Sequence, residues 1–379
     1  MLFNPRNAPR NLHVTSARRA LRSALALCIL GAGFAAAQDF GGHTLPPDLA
    51  DPAAKVIGVL NKDPKNASRA MGYSEGPAVD SAGNLYFTED IGSNGNIWKV
   101  TPQGVGSNFY TGPALPNGME FDPQGRLTAC EQGSISTYDK NGARTPLTML
   151  GNPDLKRVND VTIAVDGGMW FTNHQFGNTF FYRAPNGTVT SYPNVAPLGV
   201  AVPNGIEFIE EKNLLLVNSS NDNKVYQYDV SPDRKPSNKR FFATVAVPDG
   251  ITVDEKGNIY VASWGDGKIQ VFNSTGKALG DITVKSAGTD ADGQNGNTSN
   301  CVFGGSENKT LYITGDGGAY KIVLKVAGRK RPGTTNLRNR MGFATPSPHS
   351  AEAGYSIDGR KFSGEKLNFS LLLSTLGIP

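Results

Sequence analysis

Apolar and polar residues alternate with period two in short bursts along most of the chain, and the bursts are separated by turns rich in glycine and asparagine. GMEFDPQGRLTA and GITVDEKGNIYVA show the unit: an alternating run, a D-x-x-G type turn and a second alternating run. Successive side chains of a strand face opposite sides, and tight turns demand positive backbone angles, so each unit predicts an antiparallel strand pair. Further strand-like runs follow the pairs: NIWKVTP, SISTYDK, TFFYRAP, KVYQYDV, KIQVFNS and AYKIVLKV. Within the repeats no amphipathic helix of ordinary length interrupts the series.

The unit recurs six times, opening as SEGPAVD at Ser74, PNGMEFD at Pro116, VNDVTIA at Val158, PNGIEFI at Pro203, PDGITVD at Pro248 and SNCVFGG at Ser299. One polar position recurs with it: Glu75, Asn117, Asn159, Asn204, Asp249 and Asn300, spaced 42, 42, 45, 45 and 51 residues apart. A period of that length with four strands per copy predicts an all-β fold, a six-bladed β-propeller with four-stranded blades, over residues 38–328. AKVIGVL, from Ala54, has strand character but no blade of its own, and is expected to complete the last blade, whose edge would otherwise stay open. Residues 329–379 read as a basic linker rich in Pro, Ser, Thr and Asn, then a tail with the apolar patch LNFSLLLSTLGIP.

Composition supports this picture, because 45 glycines and 24 prolines supply the turns that such a fold needs. The formal charge of +4 is carried by the first residues: Arg6, Arg10, Arg18, Arg19 and Arg22 precede the apolar run SALALCILGAGFAAA, with no acidic residue before Asp39. That layout predicts a signal peptide over residues 1–37, cleaved near Ala35 to Ala37, and hence a secreted or periplasmic protein. The apolar run is short for a membrane span. The Arg18–Arg19 pair suits a twin-arginine route loosely, and a lipoprotein anchor at Cys28 is disfavoured by the bulky Leu27 before it. Without the leader the chain carries 32 basic and 33 acidic residues, a balance that points to neither nucleic acid nor an anionic membrane as partner.

Cys130 and Cys301 remain after cleavage, in repeats that are not neighbours around a six-membered ring, so two unpaired buried thiols are expected. With His43, His174 and His349 as the mature histidines, a structural zinc site has few ligands to draw on. His174 reads as a packing or solvated histidine at a strand end. The loops HQFGNTF after His174 and WGDG at Trp264 are expected to shape a pocket.

The inner strand of a propeller blade lines the central channel, so the six recurring residues converge on its axis. They offer two carboxylates and four amide oxygens, the donor set of a hard divalent cation, which would also neutralise two facing carboxylates. Asn and Asp also cap strand starts through their own side chains, and such turn chemistry is the competing reading of any one position.

SEGP at Ser74, RVND at Arg157, PNG at Pro203, PDG at Pro248 and NCVFGG at Asn300 together resemble the SMP-30/gluconolactonase family, which includes regucalcin. The resemblance implies a metal-dependent lactonase that hydrolyses a small, sugar-type lactone at the channel mouth. It assigns Glu75, Asn159, Asn204 and Asp249 to one divalent cation, Ca²⁺ before Zn²⁺, Mn²⁺ or Mg²⁺, and Arg157 to the substrate. Asn117 and Asn300 are left as substrate-binding candidates, with Asp249 and Arg157 the catalytic pair. Asp249 corresponds to the family's candidate base, yet a carboxylate bound to a cation has its pKa lowered, so it is better suited to orienting water. Paraoxonases share the architecture, but their histidine dyad has no counterpart here. The polar ring also speaks against a metal-free enzyme of the strictosidine-synthase type, and the lack of a G-x-S-x-G elbow speaks against Ser/His/Asp catalysis. The alternative from another class is a non-catalytic, cation-stabilised propeller that binds a small ligand or a protein.

Overall fold

Asp80 shows how the sequence makes each strand pair. Its carboxylate accepts the backbone N–H groups of Ala82 and Asn84 at 2.9 and 2.8 Å, and Gly83 takes the positive φ of 82° that closes the turn. Asp122 with Gly125, and Asp254 with Gly257, repeat the device in the second and fifth copies. An Asx turn of this kind is the physical content of the D-x-x-G signal.

The computed structural model describes residues 38–90, 94–151, 155–174, 178–285 and 296–332. The leader read over residues 1–37 and the tail beyond residue 332 lie outside them. The strands form six antiparallel sheets in meander order, the blades of a β-propeller, plus a two-stranded ribbon of Lys62–Asp63 and Asn66–Ala70. The inner strands are Ser74–Val79, Met119–Phe121, Val158–Ile163, Pro203–Ile209, Pro248–Val253 and Thr298–Gly304 for blades one to six. The inner strand of blade six packs on that of blade one, which closes the ring.

Burial explains why the strands are so apolar. Each of six core clusters lies between two adjacent blades, so a blade buries both of its faces. Trp170 and Phe180 of blade three meet Phe208 and Leu215 of blade four, for example. Val56–Leu60 pairs with the third strand of blade six, so AKVIGVL completes the last blade as its pattern predicts, and Asp39–Gly41 adds a further edge strand. Cys130 and Cys301 are both buried free thiols.

Residues 329–332, the described start of the segment read as a linker, dock against the propeller. Arg331 is sunk into the channel from the end opposite the polar ring, with Nη1 3.0 Å from Glu120 Oε2 and Nη2 bonded to Glu207 Oε2 and, at 3.1 Å, to Thr252 Oγ1. Arg329 reaches Glu207 Oε1 at 2.6 Å. Glu120, Glu207 and Thr252 stand three residues after Asn117, Asn204 and Asp249, so the strap ties blades two, four and five together across the axis. Two buried carboxylates need this counter-charge. The sequence hides the reason because Glu120 and Glu207 sit at alternating positions that otherwise read as strand exterior.

Candidate functional site: the polar ring and its cavity

Four of the six inner strands begin with the same register. Ser74 faces Glu89, Val158 faces Asn173, Pro203 faces Ser219 and Pro248 faces Ser263, with a bulge immediately after. The next residue, Glu75, Asn159, Asn204 or Asp249, is thereby turned toward the axis, and all four are buried. Together with Asn117 and Arg157 they line one cavity of about 690 Å³. A side lobe of about 100 Å³ opens from it past Tyr73, Glu75, Asn117 and Arg157 toward Asp90 and Gln132.

Asn300 is not part of this set. Thr298 is the residue that faces Gly315, so the sixth ring position is Ser299, whose hydroxyl is taken up by Ser74 O at 2.6 Å. Asn300 lies one residue further on, at the level of Asp160, and both line a small interior cavity floored by Arg331. The reading slipped by one because SNCVFGG lacks the X-Asn-Gly or X-Asp-Gly signature that anchors the register in three other copies. Blade six instead contributes Asn297 and Asp316 to the main cavity, and its Asn297 side chain is held by Asp316 Oδ2 at 3.1 Å.

The arrangement fits a cation. The Tyr73 hydroxyl lies 3.3 Å from Glu75 Oε1 and 3.4 Å from Asp249 Oδ2, so carboxylates from two non-adjacent blades converge within reach of one phenol. Burial, followed by the charge of Asp160, raises the pKa of Glu75; burial, followed by Glu75, raises that of Asp249. Burial likewise lifts Tyr73, with both carboxylates adding to it. Asn204 donates from Nδ2 to Ser220 Oγ at 3.1 Å and is left with a buried Oδ1 that has no hydrogen-bond partner among the described residues. A buried acceptor without a partner is costly, and two buried carboxylates repel; a divalent ion answers both. Among the described residues no cluster of three or more His, Cys, Asp or Glu exists. The oxygens that a cation would meet here are two carboxylates and amide oxygens.

Some of the cavity wall went unread in the sequence. Tyr73 was not singled out, and His174 lines the cavity rather than packing away from it. Burial, then the neighbouring Arg157, pushes the His174 pKa down to about 4, so the imidazole is neutral at neutral pH. Trp264 also lines the cavity, as expected of its loop, whereas Gln175 to Gly177 lie outside the described residues.

A family model described as the SMP-30/gluconolactonase/LRE-like region matches residues 73–316. Lactonase drp35 of Staphylococcus aureus is 25% identical over 232 residues, which cover 55% of this chain and 69% of that protein. A gluconolactonase from Xanthomonas campestris superposes with a TM-score of 0.62 at 22% identity, covering 76% of this chain and 95% of its own. Regucalcin from Agrobacterium tumefaciens, described as a calcium-binding protein, superposes with a TM-score of 0.58 at 16% identity over 70% and 94% of the two chains. The two structural likenesses bear on the fold.

Proposed function

The chain belongs to the SMP-30/gluconolactonase/LRE-like family, and from that premise we propose that it is a lactone hydrolase dependent on one divalent cation held by Glu75, Asn159, Asn204 and Asp249. The observation that carries this reading is the convergence of two buried carboxylates and the unpartnered Asn204 Oδ1 on a single open cavity. The likeness to the drp35 lactonases supports the choice of a lactone as substrate. A bound cation would supply Lewis acidity toward the lactone carbonyl and a lowered pKa for water. The all-oxygen donor set favours Ca²⁺, with Zn²⁺, Mn²⁺ or Mg²⁺ as replacements.

The chain's own residues do the rest. Arg157 stands on the cavity wall beside Glu75 and Asn117, where its guanidinium donates hydrogen bonds to the carbonyl oxygen as charge develops there. Asn117 holds the ring substituents on the same side. Asp249 orients the attacking water. The amides, carboxylates and guanidinium on the wall support a sugar-type lactone, and the leader supports export to the periplasm or medium. The test is a panel of aldonolactones and unsubstituted lactones assayed after chelator treatment and after return of each cation. Hydrolysis that is lost on stripping and regained with cation supports the proposal; equal rates with and without cation contradict it.

A further inference from the structure

A second set of six residues surrounds the cavity above the polar ring. At the end of the second strand of each blade stands Asp90, the last residue of its strand, or Gln132, His174, Ser220, Trp264 or Asp316, each the residue just after it, and all six line the main cavity or its side lobe. Their places are fixed alike, since each backbone N–H is bonded to the chain just ahead of the ring strand: Asp90 to Tyr73 O at 3.1 Å, His174 to Arg157 O at 2.9 Å, Ser220 to Val202 O at 3.2 Å, Trp264 to Val247 O at 3.1 Å and Asp316 to Asn297 O at 3.0 Å. Gln132 makes the corresponding bond to Ala114 O at 3.2 Å. The polar ring presents oxygen-bearing side chains throughout. This collar holds an acid, an amide, an imidazole, a hydroxyl and an indole, which is what a surface that reads a ligand requires and a cation cage does not.

Two members stand out by what they leave unused. Ser220 is spent on Asn204 and on Pro248 O, and Asp316 on Asn297. His174 keeps a buried Nδ1 with no hydrogen-bond partner among the described residues, an unsatisfied group that calls for an explanation. Trp264 is 42% exposed, whereas Trp98 and Trp170 are 2% and 0% exposed. Beside it Val202 and Val247 adopt left-handed φ values of 52° and 41°, strained for β-branched residues, and turn an apolar wall toward the cavity.

We infer that the collar is the specificity surface of the site, with Trp264 receiving the apolar face of a hydroxylated ring and His174 Nδ1 hydrogen-bonding one of its hydroxyls. The inference rests on the lactonase reading for its kinetic test. An aromatic platform accepts the C–H face of a saturated ring, and a neutral imidazole can accept a hydroxyl proton that the adjacent Arg157 cannot. His174 and Trp264 act as positioning residues, so their signature is a split between KM and kcat.

The experiment compares D-glucono-δ-lactone with δ-valerolactone for the wild type, Trp264→Ala and His174→Phe, each loaded with Ca²⁺. We expect Trp264→Ala to raise KM for both lactones about tenfold, equivalent to about 1.4 kcal/mol, with kcat changed less than threefold. His174→Phe is expected to lower the selectivity for the hydroxylated lactone about fivefold to tenfold, the worth of one hydrogen bond. Calcium affinity, measured by calorimetry, should match the wild type in both. A His174→Phe effect equal on both lactones, or a parallel fall in calcium affinity, overturns the assignment. If the wild type hydrolyses neither lactone, intrinsic fluorescence decides: methyl β-D-glucopyranoside should change the emission of the wild type saturably and that of Trp264→Phe not at all. No change in the wild type overturns the collar independently of the lactonase reading.

Discussion

Glu75 and Asp249 are buried carboxylates whose protonation is favoured by burial and then by a neighbouring charge, Asp160 for Glu75 and Glu75 for Asp249, and their nearest shared donor is a single phenol more than 3 Å from both. Removing one charge therefore relieves repulsion in the empty site while removing a ligand from the occupied one. Glu75→Gln is expected to leave the fold intact and to weaken Ca²⁺ binding at least about tenfold. Losing an outer-shell partner alone costs a site 10- to 100-fold, and losing a ligand costs no less. Titration calorimetry on the stripped protein reads the change, and unaltered affinity would remove Glu75 from the cation set. Arg157→Met should lower kcat/KM by about 100-fold, the loss of one donor to a developing oxyanion, with the calcium isotherm unchanged. A fall below threefold would contradict its role. At this scale the sequence was informative where chemistry repeats: the polar residue of PNG, PDG and VND is visible because the same turn and bulge recur around it. Ser299 was passed over because its serine looks like filler, and the collar because its members share a position but no chemistry.

Strand ends carry the second kind of information. Glu89 and Glu131 lie at the end of the second strand in blades one and two, next to last and last respectively, and each is bound by an arginine: Arg69 at 2.7 Å and Arg144 at 2.6 Å. Burial alone would raise both pKa values, but the arginine hydrogen bonds and their polar neighbours hold each below the ordinary value of 4.5. A carboxylate depressed in the folded state stabilises it at pH above 4.5, and that contribution is lost as pH falls from there through the folded value. Urea unfolding of Arg144→Ala should accordingly lose less stability between pH 5 and pH 3 than the wild type, whereas parallel pH profiles would contradict the pairing. The strap is the other element with a definite consequence. Arg331→Met leaves Glu120 and Glu207 buried without their shared guanidinium and should destabilise the protein by about 3–5 kcal/mol in chemical denaturation. A change within 1 kcal/mol would mean that solvent already reaches those carboxylates. Strand alternation and turn residues made the blades legible, but a charge pair between residue 331 and residues 120 and 207 leaves no local pattern to read.

Closure makes the propeller one cooperative body. Blade six borrows its outer strand, Val56–Leu60, from the beginning of the propeller, and the interface between blades six and one is sealed by Met71, Val79, Val302 and Tyr312. The sequence announced this closure through one orphan strand, and the family match agrees with the ring that results. Fold does not fix chemistry, so the proposed function rests on the ring of oxygens. A cation bound only by the folded ring must stabilise the whole propeller, by about 2.7 kcal/mol at one hundred times its Kd. The most direct measurement is the rate of lactone hydrolysis by chelator-stripped protein as Ca²⁺ is returned, with Glu75→Gln run beside it. The predicted result is activity that rises from near zero and saturates at one cation per chain in the wild type, with no recovery in Glu75→Gln at the same concentrations. Full hydrolysis by the stripped wild type, or equal recovery in both proteins, would contradict a cation-dependent lactonase built on this ring.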